Sequence, residues 1–286
     1  MKRLRLAIDQ MAPALGDLDA NFKKHSDAIR WAKSEKADLL VFPELSLTGY
    51  LVRGMVHHVA IERSDRRLLD LSKQAGDMAL VLGVVEKAED GQFFNSAAYL
   101  AGSGVHAIQR KLFLPNYGMF EERRFFAPGD RLETFDTPWG KSGMLICFDL
   151  LHPAIGYLLE QAGVRLLISI SASPARGITA DGDMAGEMAF RLGQETFARL
   201  LGLMTIYVNR VGTEEGLTFW GGSQVMDPAG KVICELPMYE EARVICEIDM
   251  ESVSRARSLF PHLKESRPEF ILQELQRIRQ SQISKP

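Results

Sequence analysis

Apolar residues along this chain fall into short runs whose spacing switches between a two-residue and a helical period. Leu4, Leu6 and Ile8 alternate with polar neighbours as a first strand, and from Asp17 to Ala37 the positions of Phe22, Ile29 and Ala32 mark a helical segment. Asp38 to Phe42 reads as a second strand that Pro43 stops at Glu44; a helix over Leu68 to Ala75 then precedes the strand Met78 to Val85. Turn signals at Glu89-Asp90-Gly91 and Gly102-Ser103-Gly104 flank the runs Phe93 to Leu100 and Val105 to Arg110, predicting two hairpins. Alternating strands and helices with added hairpins predict an α/β fold with mixed sheets.

Between Lys111 and Asp130 no period holds, and aromatic and charged residues crowd together, as expected of a loop that forms a pocket wall on a rigid scaffold. The apolar run Gly143 to Ile146 then delivers Cys147 and Asp149 ahead of Pro153, the layout of a site at a strand's C-terminal end. Beyond it the pattern predicts a helix near Pro153 to Ala162, a strand Leu166 to Ile170 and a Ser/Pro/Gly loop. A helix near Met184 to Leu200 and a strand Thr205 to Asn209 come next. Asp227-Pro228-Ala229-Gly230 is a turn between two more strands, and Ala242 to Ile248 continues the sheet. From Pro268 the spacing of Phe270, Leu272, Leu275 and Ile278 predicts an amphipathic tail helix, which would dock on a partner subunit or on the domain itself.

Composition narrows the class. A chain of 286 residues with 46% hydrophobic and 25% charged residues can bury the core of one large α/β domain, here 1–286 with a C-terminal tail from about 251. A formal net charge of −3 and a pI near 6.1, without a long basic run, argue against a nucleic-acid partner. No segment reads as a signal peptide or a membrane span. The three cysteines, Cys147, Cys234 and Cys246, lack metal-site spacing, so no metal site is expected. Cys234 and Cys246 sit in apolar strand-like runs and read as core residues, which suits a reducing cytoplasm.

The candidate chemistry lies where apolar strands run out. Val41-Phe42-Pro43-Glu44 presents a carboxylate, Arg110-Lys111 an ammonium and Ile146-Cys147 a thiol. Together they are the parts of thiol-based acyl transfer: a base, an oxyanion stabiliser and a nucleophile. Taken singly, Glu44 reads as a salt-bridged surface carboxylate, Lys111 as a solvated loop cation and Cys147 as a small core hydrophobe.

In order, Glu44 lies in FPE-x-x-x-x-GY, Lys111 in K-x-x-LP and Cys147 in G-x-x-IC-[YF]-D. Ser171-Ala172-Ser173-Pro174, Val208-Asn209-Arg210-Val211-Gly212 and Phe219-Trp220-Gly221-Gly222-Ser223 follow them. These stretches, covering nearly the whole chain, resemble the nitrilase superfamily of carbon-nitrogen hydrolases, with its Glu-Lys-Cys triad. The resemblance implies an α-β-β-α sandwich, no cofactor, a homodimer or larger assembly, and defined roles. Glu44 would be general base and Cys147 the nucleophile. Lys111 with the backbone N–H of Phe148 would hold the oxyanion of a thioester-forming step. Glu122, in the place of the family's E-x-x-[YF]-F-x-PG segment, would assist, with Glu121 its rival by one position and a pairing with Arg123 or Arg124 the structural alternative. Asp149 matches the motif's Asp and equally reads as a cap of the helix at Pro153. His152 could touch substrate, although a histidine beside a proline is commonly a structural hydrogen bonder. Ala154 departs from the family, where glutamate is frequent after that proline.

Phe148-Asp149 resembles the amidase branches more than true nitrilases, which usually carry Trp-Glu there. The loop from Leu114 to Glu122 and the Ser171 to Pro174 segment are similar to the glutaminase domain of glutamine-dependent NAD synthetases. They make Tyr117, Phe120, Ser171, Ser173 and Arg176 candidates for touching a substrate, Arg176 through a carboxylate fork or else as a solvated cation. The expected activity is hydrolysis of a small linear amide to ammonia or an amine and an acid. The alternatives are carbamoyl-amide hydrolysis, acyl transfer to an amine, and a catalytically silent binding or scaffold subunit of the same fold.

Overall fold

The computed structural model describes residues 3–102, 104–177 and 184–283. Ser103 of the second turn signal and part of the loop before Met184 lie outside the described residues. The strands are β1 (Arg3–Gln10), β2 (Leu39–Val41), β3 (Ala79–Lys87), β4 (Phe93–Ala101), β5 (Gly104–Arg110), β6 (Thr134–Thr137) and β7 (Gly140–Ile146). They continue as β8 (Leu166–Ser171), β9 (Met204–Asn209), β10 (Val211–Glu214), β11 (Leu217–Trp220), β12 (Gln224–Met226), β13 (Val232–Glu235) and β14 (Ala242–Asp249). The helices are α1 (Leu18–Ser34), α2 (Val56–Val59), α3 (Arg66–Ala75), α4 (Pro153–Gln161), α5 (Ala185–Leu201), α6 (Glu251–Leu259), α7 (His262–Glu265) and α8 (Pro268–Ile283).

Two mixed six-stranded sheets result, in the orders β14-β1-β2-β3-β4-β5 and β13-β12-β9-β8-β7-β6, with β10 and β11 as a separate ribbon. The centres β1-β2-β3 and β7-β8-β9 are parallel, and antiparallel strands extend them toward the edges: β4, β5 and β6 through hairpins, and β14 and β12 from farther along the chain. Alternation along the central strands decides the layers. Leu4, Leu6, Ile8 and Val41 join Met144, Ile146 and Ile168 between the sheets, whereas Ala7, Leu40 and Leu80 pack under Ile29 of α1 and Leu68 and Leu71 of α3. Ile155 and Leu159 of α4 and Phe190 and Phe197 of α5 cover the second sheet. The α-β-β-α sandwich expected from the resemblance is the architecture observed.

Local chemistry sets the helix ends. Asp17 accepts from the Ala20 N–H at 2.9 Å, and Pro153 occupies the first turn of α4, where its missing N–H leaves no bond unmade. Among the described residues no helix is long and apolar enough to cross a membrane.

One expectation is overturned. Cys234 of β13 and Cys246 of β14 are not separate core thiols: they form a disulfide with Cα atoms 6.5 Å apart. β13 and β14 are the terminal strands of different sheets, so the bond ties the two layers together at one side of the sandwich. Strand patterning shows each cysteine facing a core but not the stacking that brings the sheets' edges together. Cysteine usage therefore carries no argument for a reducing compartment.

Candidate active site

Glu44, Lys111 and Cys147 each follow the C-terminal end of a strand, respectively β2, β5 and β7, and the sandwich brings all three to one buried place. The backbone there is unusual. Cys147 has φ +49° and Leu45, next to Glu44, also has φ +49°, a left-handed conformation that side chains with a Cβ seldom adopt. The turn at Glu44 also presses on β3: a Cβ on Gly83 would lie 2.1 Å from the Leu45 nitrogen, so only glycine fits beneath it.

Lys111 is fully buried and its Nζ donates to Glu44 Oε1 at 2.8 Å and to Glu122 Oε1 at 2.7 Å. Asn95 Nδ2 also donates to Glu44 Oε1 (2.6 Å), and the Ala172 N–H donates to Glu44 Oε2 (2.6 Å). The Tyr50 hydroxyl donates to Glu122 Oε1 at 2.6 Å. Glu122, and not the exposed Glu121, is thus the second carboxylate, and its partners are Lys111 and Tyr50 rather than Arg123 or Arg124.

Two carboxylates share one ammonium in a dry environment, and the titration properties follow. Burial pushes Glu122 up to about 7, with Lys111 opposing and Glu44 adding to the rise. Burial by itself would lower Lys111, but the Glu122 and Glu44 carboxylates outweigh it and hold the lysine well above its usual value. Burial and then the Glu44 charge raise the Cys147 thiol, so the resting side chain is a neutral thiol.

Asp149 serves as a brace and not as a cap of α4, whose N-terminal flanking residue is His152 without a side-chain bond. The carboxylate turns back to accept the N–H groups of Leu112 (3.1 Å), Phe113 (2.8 Å) and Ile146 (3.2 Å), tying the Lys111 strand end to the Cys147 turn. Burial pushes Asp149 up to about 7 against these bonds. His152 stacks on Phe113 with ring centres 3.6 Å apart and its Nδ1 lies 2.9 Å from the Phe148 carbonyl oxygen, the structural role.

The candidate substrate-contacting residues divide into two groups. Tyr117 packs 5.5 Å from Phe120 and 5.8 Å from Phe148, and the Arg176 guanidinium carbon lies 5.0 and 5.1 Å from the Tyr117 and Phe120 ring centres. This aromatic and cationic wall reaches the residue after the thiol. Ser171 is buried beside Cys147, while Ser173 is held by its backbone N–H, which donates to Asn209 Oδ1 at 2.8 Å. Three neighbours of these groups were not singled out from the sequence: Tyr50 on Glu122, Asn95 on Glu44, and Tyr207, whose hydroxyl lies near Ser171. Tyr50 stands in the quoted FPE-x-x-x-x-GY stretch, which was its signal, whereas Asn95 and Tyr207 are mid-strand residues with no local mark.

The fold and the site define an α-β-β-α protein with a buried thiol beside a lysine shared by two glutamates. A carbon-nitrogen hydrolase family model matches residues 5–258, and the chain belongs to the carbon-nitrogen hydrolase family. It is 33% identical to a glutamine-dependent NAD(+) synthetase of Thermotoga maritima over 91% of this chain and 45% of that protein. The chain thus spans about half the length of that relative. It is also 30% identical to an (R)-stereoselective amidase of Pseudomonas sp, over 92% of each. A carbon-nitrogen hydrolase from Helicobacter pylori shares the fold, with a TM-score of 0.84 at 24% identity, covering 96% of this chain and 98% of that one.

Proposed function

We propose that the chain is a thiol amidase that cleaves the C–N bond of a small, non-peptide linear amide through a thioester on Cys147. The observation that carries this reading is the buried thiol placed beside one ammonium held by two carboxylates. A neutral resting thiol requires its proton to leave as it attacks, so Glu44 takes that proton while the sulfur bonds to the amide carbonyl carbon. Lys111 and the Phe148 N–H stabilise the oxyanion; one such donor is worth roughly 3 to 4 kcal/mol. Glu44 returns the proton to the departing nitrogen, which leaves as ammonia, and then activates the water that opens the thioester to the acid. Glu122 keeps Lys111 in place, and its Oε2, without a hydrogen-bond partner among the described residues, is free to receive the water or the amine.

Tyr117, Phe120 and Arg176 form one wall of the approach, and Ser171 and Ser173 the floor. The Thermotoga maritima relative makes glutamine the first amide to try. A homodimer or larger assembly is supported by exposed apolar side chains on α4 and α5 (Leu158, Met188, Leu192, Leu200) and by the exposed apolar residues of α8.

The test is ammonia release from glutamine, asparagine, omega-amides, aliphatic amides and carbamoyl amines, with Cys147→Ala as control. The reading expects turnover on at least one of these that the substitution abolishes. Turnover that survives Cys147→Ala, or none on any amide, contradicts it.

A further inference from the structure

Cys147 has chemistry on one side and unmet hydrogen-bonding capacity on the other. Ser169 and Tyr207 are register partners in the parallel pair β8–β9, and Ser171, two residues on, shares their face. Gln224 of β12 stands opposite Tyr207 and bonds Arg191 and Gln194 of α5, so this face lies under α5. Phe190 of α5 packs 5.6 Å from the Tyr207 ring, and Trp220 lies nearly parallel to it at 5.8 Å. Ser171 neighbours both the Cys147 thiol and the Tyr207 hydroxyl. Burial first of all raises the Tyr207 phenol above its usual value, and Ser171 lies between that hydroxyl and the Cys147 thiol.

Among the described residues Ser169 Oγ, Ser171 Oγ, Tyr207 OH and Trp220 Nε1 have no hydrogen-bond partner, although each residue is at most 2% exposed. A buried polar group left unpaired costs roughly 1 to 3 kcal/mol, and the Ser171 and Tyr207 hydroxyls, whose polar neighbours are each other and the Cys147 thiol, are placed to gain from a molecule that supplies a partner. Each hydroxyl can donate as well as accept, whereas the indole N–H only donates, so the complement that all of these groups can share is an acceptor.

We propose that Ser171 and Tyr207, backed by Trp220, form a donor pocket beside Cys147 that binds a second acceptor oxygen on the substrate's acyl chain. This rests on the amide-hydrolase reading and narrows its substrate class. The preferred amide carries a carboxylate or carbonyl oxygen beyond the scissile group, and a plain aliphatic amide leaves the donors unmet.

The experiment compares kcat/KM for succinamate, 4-oxopentanamide and pentanamide in the wild type, Tyr207→Phe and Ser171→Ala. The wild type is expected to prefer one or both acceptor-bearing amides, and Tyr207→Phe to lower that preference ratio about tenfold, the worth of one hydrogen bond. Succinamate alone favoured identifies a carboxylate; both favoured identifies any acceptor oxygen. A ratio unchanged by Tyr207→Phe means that the hydroxyls hold only water and overturns the pocket. Alkylation of Cys147 by 5-chloro-4-oxopentanoate and by 1-chloropentan-2-one gives a readout independent of turnover. In each, sulfur bonds to the chloromethyl carbon, chloride leaves and the thiol proton passes to Glu44. A Tyr207→Phe rate ratio that falls for the acid-bearing reagent supports a carboxylate pocket even if no amide turns over, in which case the amidase reading alone fails. Where only the ketone amide was preferred, the reagents are expected to react alike.

Discussion

Two buried ion networks among the described residues differ in how completely they are satisfied. Arg210, 1% exposed, pairs with Glu214, donates to the Val211 carbonyl and lies over the Phe219 ring at 4.1 Å. Glu214 Oε2 also accepts the N–H groups of Tyr50 and Leu51 at 3.0 Å each. One cation there meets one anion, and the carboxylate has further donors. At Lys111 one cation serves two carboxylates, while Glu122 Oε2 and Asn95 Oδ1 have no partner among the described residues. A closed network fixes the shape of a loop, here the Tyr50 segment that feeds a hydroxyl to Glu122. An open one retains capacity for atoms that arrive later, which is the condition for chemistry.

Substitutions should separate the two. Lys111→Met is expected to lower turnover at least a thousandfold, by removing the proposed oxyanion donor and the cation that both glutamates share, as steady-state kinetics would show. Glu214→Ala leaves Arg210 buried and unpaired; urea unfolding should show a loss of about 3 to 5 kcal/mol. Its turnover per folded molecule should fall far less than that of Lys111→Met, and an equal fall would erase the distinction between the networks.

Glu122→Gln is expected to lower kcat/KM about a hundredfold and to change the pH response. Glu122 is raised from 4.5 to about 7 in the folded chain, so folding takes up a proton between those values, and its contribution to stability falls as pH rises through that window. Thermal melts of Glu122→Gln against wild type should therefore show the variant gaining relative stability from pH 5 to pH 8. The smallest effect belongs to Asp149→Asn. It keeps the shape but weakens the bonds to Leu112, Phe113 and Ile146, and should cost about 1 to 2 kcal/mol in the same melts at pH 8.

What could be read from the sequence follows from how local the cause was. The strand ends at Glu44, Lys111 and Cys147 were legible because Pro43, the aperiodic loop after Lys111 and Pro153 punctuate the apolar runs beside them. Asn95 gave no sign, since an amide in the middle of β4 meets Glu44 only through sheet pairing. Tyr207 was equally silent, because its neighbours come from β8, α5 and β11. Asp149 misled for a local reason: a carboxylate ahead of Pro153 looks like a helix cap, and only the approach of residues 112 and 113 turns it backward. Cys234 and Cys246 misled for a global one, as the edges of two sheets meet only after stacking.

The central claim is covalent catalysis at Cys147, and the most direct measurement is intact-protein and peptide mass spectrometry during turnover of the best amide, quenched in acid. The account predicts a transient gain equal to the acyl group, confined to the peptide containing Cys147 and absent from Cys147→Ala. Ammonia released with no adduct in rapid-quench samples and retained in Cys147→Ala, or an acyl group found on another residue, would contradict it.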